Sequence, residues 1–156
     1  VTAEENLLVD DASPLKPGDA TGAILLTPDG RYLLQLRDNI RGIFFPDHWG
    51  LFGGGTDPDD ASPEAGLCRE LGEELNLAAT PDRLSYFTNF DFDFRPFGHM
   101  QAYRTFYVLT LTQAEMGSLK LGEGREMRPF TAREALSGLK LAPYDFFVIW
   151  MHANQS

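Results

Sequence analysis

Glu70, Glu73 and Glu74, with Arg69 beside them, are the residues of this 156-residue chain whose types and spacing point most directly to chemistry. In a helix, spacings of three and four bring side chains to one face, so the three carboxylates share a stripe. Like charges at these spacings repel, so such a stripe is not there for helix stability. A divalent cation turns the repulsion into ligation: hard ions such as Mg²⁺ take carboxylate oxygens and keep several waters. A solvated acidic face is the plainer explanation of a Glu-rich helix. Glu64, Cys68, Leu71 and Leu75 form a second, mostly apolar stripe suited to packing.

The residues upstream favour ligation. Trp49-Gly50-Leu51-Phe52-Gly53-Gly54-Gly55 runs into an acidic turn, Thr56-Asp57-Pro58-Asp59-Asp60, and then Ser62-Pro63. Ser62 suits a helix N-cap, and Pro63 suits the first helical position because its missing N–H goes unused there. Three glycines let the backbone approach a ligand closely. Strand, glycine loop and acidic helix together resemble the box of the Nudix (MutT-like) hydrolases, G-x5-E-x7-R-E-U-x-E-E-x-G-U with U a bulky aliphatic residue. Arg69, Glu70, Leu71, Glu73, Glu74 and Leu77 fall on box positions, and Gly55 falls on the box glycine.

The box also has departures. Ala61 stands where its first glutamate belongs, with Asp60 one place early, so the loop carries an insertion or uses Asp60 along a changed path. Asn76 replaces the late glycine, and Asn is the next-best residue for a left-handed helix end. Phe52 stands where many relatives have proline before the glycines.

The resemblance implies the fold class α/β: an α/β/α sandwich around a mixed β-sheet, as one domain over residues 20–156. Residues 1–19, acidic and proline-punctuated, read as an arm or irregular lead-in. The chain opens at Val1, not methionine, which leaves room for a start residue or short leader ahead of it. The implied cofactor is Mg²⁺ (or Mn²⁺). Glu73 and Glu74 are the first expected ligands, and Glu70 is a further ligand or the base for an attacking water. Gly54 or Gly55 would offer a backbone carbonyl, with Gly53 there for the turn. Arg69, four residues before Glu73, reads as structural support that orients that carboxylate.

Leu121-Gly122-Glu123-Gly124-Arg125-Glu126 resembles the Glu-Gly segment that supplies a further acidic residue in MutT-like members. Glu123 is the choice there, in a Gly-flanked loop able to close on the metal, against Glu126 or a plain surface loop. Arg37 and Arg41 before Trp49, and Arg95 and Arg104 around the second hairpin, are candidate phosphate clamps. Asp145 lies where MutT-like members place a purine-reading side chain, although capping the last helix or facing solvent is the plainer reading. Phe90, Phe92, Tyr103 and Phe106 read as core more readily than as a base-stacking platform. His48 and His99 read as loop residues.

Periodicity supplies the positioning elements. Residues 21–27 and 31–37 read as strands joined by Pro28-Asp29-Gly30, a hairpin signal. A loop over 38–48 leads to a short strand at 49–52 and a helix from about Ser62 to Leu75. Phe90, Phe92 and Phe94 alternate with polar residues in a strand over 85–94, which returns as 101–112 after a turn at 95–99. A strand at 127–130, a short helix at 131–136 and an amphipathic helix at 143–153 follow.

A net charge of −10 and a pI near 4.6 argue against partners that are nucleic-acid polymers or anionic membranes. The same charge repels a nucleotide unless metal ions and local arginines reverse the field. No apolar run reaches the roughly 18 residues needed to span a bilayer. Cys68 is the single cysteine, which excludes an internal disulfide and fits a cytoplasmic location. On the packing stripe, it reads as buried structure.

The function expected is Mg²⁺-dependent cleavage of the diphosphate linkage in a nucleoside diphosphate joined to a moiety X. A nucleoside triphosphate pyrophosphohydrolase is favoured over a nucleotide-sugar or ADP-ribose type pyrophosphatase. A catalytically degenerate nucleotide-binding module is the reading that Ala61 keeps open. An isoprenoid diphosphate isomerase on the same fold would want a cysteine before the box, and none is there. A homodimer through the phenylalanine-rich strand and the acidic arm is a further expectation.

Overall fold

A computed structural model describes residues 20–155 apart from Gly42, Phe44, Phe94 and residues 98–100. The expected arm over 1–19, and with it His99 and Phe94, therefore lies outside the described residues.

The chain runs β1 (Ala20–Leu26), β2 (Tyr32–Leu36), β3 (Trp49–Gly50), α1 (Pro63–Leu75), β4 (Ser85–Asp93), β5 (Gln101–Thr110), α2 (Gln113–Ser118), β6 (Glu126–Phe130), α3 (Ala132–Gly138) and α4 (Pro143–Ala153). The sheet has the order β3-β2-β1-β5-β4, with β6 pairing β2. It is mixed: β1 runs parallel to β5, while β1–β2, β2–β6 and β4–β5 are antiparallel. Both expected hairpins are present.

Strand alternation sorts the core into two layers. Ala23 and Leu25 of β1 and Leu33 of β2 meet Leu67, Leu71 and Leu75 of α1 on one face. Ile24, Tyr32 and Leu34 meet Ala135 of α3 and Val148 and Ile149 of α4 on the other. The result is the α/β/α sandwich. Each fully buried leucine of α1 contributes about 1.5–3 kcal/mol, enough to hold a helix whose outer stripe repels itself.

Local signals set the ends of α1. Ser62 accepts from Ala65 N–H at 3.1 Å, with Pro63 at the first turn. Asn76 takes the left-handed conformation, φ 56°, and its N–H reaches Gly72 O at 3.0 Å.

Several strand ends shift by one residue from the sequence reading, and three boundaries shift by two. The expected strand over 49–52 pairs regularly only at Trp49 and Gly50, and Phe52 makes a single bridge to Ala23. β5 stops at Thr110 because Thr112 instead caps an additional short helix, α2, in a reciprocal box with Glu115. α3 extends to Gly138. The shorter β3 frees the glycine loop to cross β1 and reach α1.

Candidate active site

Arg69 organises the near end of the site. Its guanidinium donates to Asp60 from Nε at 3.1 Å and from Nη2 at 3.0 Å, to Glu70 at 2.8 Å, to Glu73 at 3.3 Å, and to the Gly55 carbonyl at 3.1 Å. The expected Arg69–Glu73 pair is therefore one arm of a wider clamp. Asp60 lies on it too, and Arg69 holds the Asp60 carboxyl below the usual range. Asp60, one place early in the box, thus meets the box arginine.

The three helix carboxylates differ in surroundings. Glu73 is the most exposed, at 56% of its side chain, against 17% for Glu70. Glu74 is buried, and its Oε2 accepts the Gly53 N–H at 2.8 Å. Burial pushes the Glu74 carboxyl up to about 7, with Glu70 and Glu123 adding repulsion against the pull of Gly53 and Gln35. Burial also raises Glu70; Arg69 opposes this, and Glu73 and Glu123 reinforce it. Glu123 thus belongs to the same electrostatic cluster. Glu126, its alternative, pairs with Arg128 on β6.

The loop carrying Glu123 is anchored on both sides of that residue. Lys120 N–H donates to Leu75 O at 3.0 Å, Gly122 N–H to Glu74 O at 2.7 Å, and Arg125 N–H to Leu36 O at 2.9 Å. The last carbonyls of α1, which lack helical partners, find them in this loop. A Cβ on Gly122 would stand 2.4 Å from Glu73 O, so only glycine allows the approach.

A cavity of about 100 Å³ opens between these pieces, lined by Gln35, Arg37, Asp38, Glu74 and Glu123. Arg37 is thereby placed beside the carboxylates, whereas Arg41 is exposed and does not line that cavity. Asp145 corrects the plainer sequence reading. It neither faces solvent nor caps α4: it is 4% exposed and accepts the Leu51 N–H at 3.0 Å. Burial pushes its carboxyl up to about 6 against the pull of Arg104, Leu51 and Arg37. Arg104 lies over the Tyr144 ring at 4.4 Å, and Arg95 pairs with Asp93. Phe106 is core, and Phe90 and Phe92 pack with the same layer. Cys68 is only partly buried.

Among the described residues, no three His, Cys, Asp or Glu side chains stand ready as a metal-ligand cluster; Arg69 holds Glu70 and Glu73 instead. The donor chemistry nevertheless fits a hard divalent ion. The Glu123 charge raises the proton affinity of Glu70 and of Glu74, and Glu70 adds to it at Glu74, a repulsion that an ion bound among them would relieve. The Glu70 carboxylate lies against Gly54, where a Cβ would come within 2.7 Å of it. Of the two expected carbonyls, that of Gly54 accepts the Thr21 N–H of β1, and that of Gly55 is the one Arg69 brings to Glu70 and Glu73.

The family model described as the NUDIX domain matches residues 16–147. The chain belongs to the NUDIX family. The chain is 47% identical over 51 residues to the nucleoside triphosphatase NudI of Escherichia coli. That match spans 33% of this chain and only 35% of the relative's length. Among solved structures, a MutT protein from Methanosarcina mazei Go1 superposes with a TM-score of 0.72 at 19% identity, covering 92% of this chain and 100% of that one. The NUDIX domain of Shewanella oneidensis NrtR, complexed with ADP ribose, superposes at 0.69 and 20% identity, covering 98% and 97%. At these identities the likeness is one of fold.

Gln35, like Asp38, lines the cavity and was missed by sequence reasoning. One polar residue in an otherwise apolar strand matches no motif, and only the period of two, which puts it on the α1 face with Leu33, pointed to it.

Proposed function

We propose that this Nudix hydrolase cleaves a nucleoside triphosphate to a nucleoside monophosphate and pyrophosphate, using Mg²⁺ or Mn²⁺. The observation that carries the reading is the meeting of Glu74 and Glu123 at a cavity that Arg37 also lines, with Glu70 and Glu123 both repelling the Glu74 carboxylate. Glu70, Glu73, Glu74 and Glu123, with the Gly55 carbonyl, are the groups that would hold the ion. When bound, it would polarise the diphosphate and neutralise charge developing in the transition state.

The chain's own residues do the rest. Arg37 engages non-bridging phosphate oxygens, and its planar fork suits them. Arg69 fixes Glu70 through Oε1, which leaves Oε2 to take a proton from water. The raised proton affinity of Glu70 suits a base. The water oxygen bonds to one phosphorus, the anhydride P–O bond on its far side breaks, and the leaving phosphate departs with the bonding pair. Asp145, buried behind Leu51, would read the base end of the substrate.

The choice of a triphosphate rests on the stretch of identity with NudI. A second reading, with a larger X as in ADP-ribose, draws on the ligand of the Shewanella domain. A panel of nucleoside triphosphates, ADP-ribose, nucleotide sugars and dinucleoside polyphosphates separates them. Pyrophosphate release in Mg²⁺, absent in EDTA, is the expected result. Turnover confined to ADP-ribose or a sugar nucleotide would replace the first reading by the second. No turnover and no metal binding would make the chain a binding module.

A further inference from the structure

Gln35 lies on the face of β2 that meets α1, next after Leu33 in the alternation, and is 4% exposed. An uncharged amide at such a place costs stability relative to a leucine unless its polar atoms are used. Here they are. Nε2 stands 3.4 Å from Glu74 Oε1 and 3.3 Å from the Leu51 carbonyl. Both neighbours are oxygen acceptors, so the amide is oriented with its two hydrogens toward them. Oε1 then faces the Glu123 loop, where a Cβ on Gly124 would come within 3.0 Å of it. Gly124 itself has φ +83°. The remaining Glu74 oxygen is held by Gly53 N–H.

We propose that Gln35 is a positioning residue that couples the two halves of the metal site. Its amide fixes Glu74 from one side and seats the Glu123–Gly124 turn from the other, so it sets the spacing of two carboxylates that share the cation. The inference rests on the metal-site reading given under Proposed function. Groups that orient metal ligands this way commonly change metal affinity by about 10- to 100-fold when removed.

The test is Mn²⁺ binding to metal-stripped protein, followed by the electron paramagnetic resonance of the free ion, together with thermal melting and steady-state kinetics. Gln35→Met should weaken Mn²⁺ binding at least about 10-fold and lower kcat, while the melt stays cooperative and nucleotide KM holds. Gln35→Asn keeps the amide but falls one methylene short of Glu74; it should show the same loss, and it serves where the Met variant does not fold. Combined with Gly124→Ala, which presses on the same amide, the loss should be less than additive. Unchanged Mn²⁺ affinity in the Gln35 variants, with Glu74→Gln weakened, would overturn the proposal and leave the metal site standing. Unchanged affinity in Glu74→Gln would remove the metal-site reading itself, and the proposal with it.

Discussion

Burial decides how individual acidic residues of this chain behave, and Asp145 shows it most clearly. Its carboxyl is raised from 3.8 to about 6, so the folded chain holds a proton there that the unfolded chain has released. Where the folded state binds more protons, stability falls as pH rises. Asp145 therefore takes away up to about 3 kcal/mol between pH 3.8 and pH 6. Asp145→Asn has no proton to lose and keeps an oxygen for the Leu51 N–H. Urea unfolding across this range should show the variant gaining about that much on the parent as pH rises. A difference independent of pH would contradict the assignment.

At the scale of elements, the site depends on how α1 ends and on what meets it there. Lys120 and Gly122 donate to the last carbonyls of α1, and this contact carries Glu123 to Glu74. Gly122→Ala would force a Cβ to within 2.4 Å of Glu73 O. The expected cost is about 1–3 kcal/mol of stability and a fall in activity larger than that of a surface control, measured by denaturation and turnover. Full activity would show that the loop has room to spare. Much of this element was legible: Ser62, Pro63, Asn76 and the Arg69–Glu74 spacings are local signals, and each acts where the sequence puts it. The tie between loop and helix was not, because a glycine's use in close approach leaves no trace in composition. α2 was missed although Thr112 and Glu115 form a capping box, since the alternation of β5 reads on through Thr110 and Thr112. The burial of Asp145 depends on Leu51, 94 residues away, and no window along the chain contains both.

For the whole molecule, two apolar layers on a mixed sheet position the site, and a charge of −10 surrounds it. No described helix is long and apolar enough to cross a membrane. An anionic substrate approaches against that field, so screening should help it. At fixed free Mg²⁺, raising KCl from about 0.02 M to about 0.15 M should raise kcat/KM for a nucleoside triphosphate. A steady fall with salt would mean that local arginines, not the net charge, govern approach. The central claim is that the carboxylates of α1 hold a catalytic cation, and turnover tests it most directly. Triphosphate hydrolysis is measured in Mg²⁺ and in EDTA, for the parent, Glu73→Gln and Glu74→Gln. Equal yields of monophosphate and pyrophosphate are expected, abolished by EDTA and cut at least about 10²-fold by each substitution. Turnover that survives EDTA, or variants that match the parent rate, would contradict it.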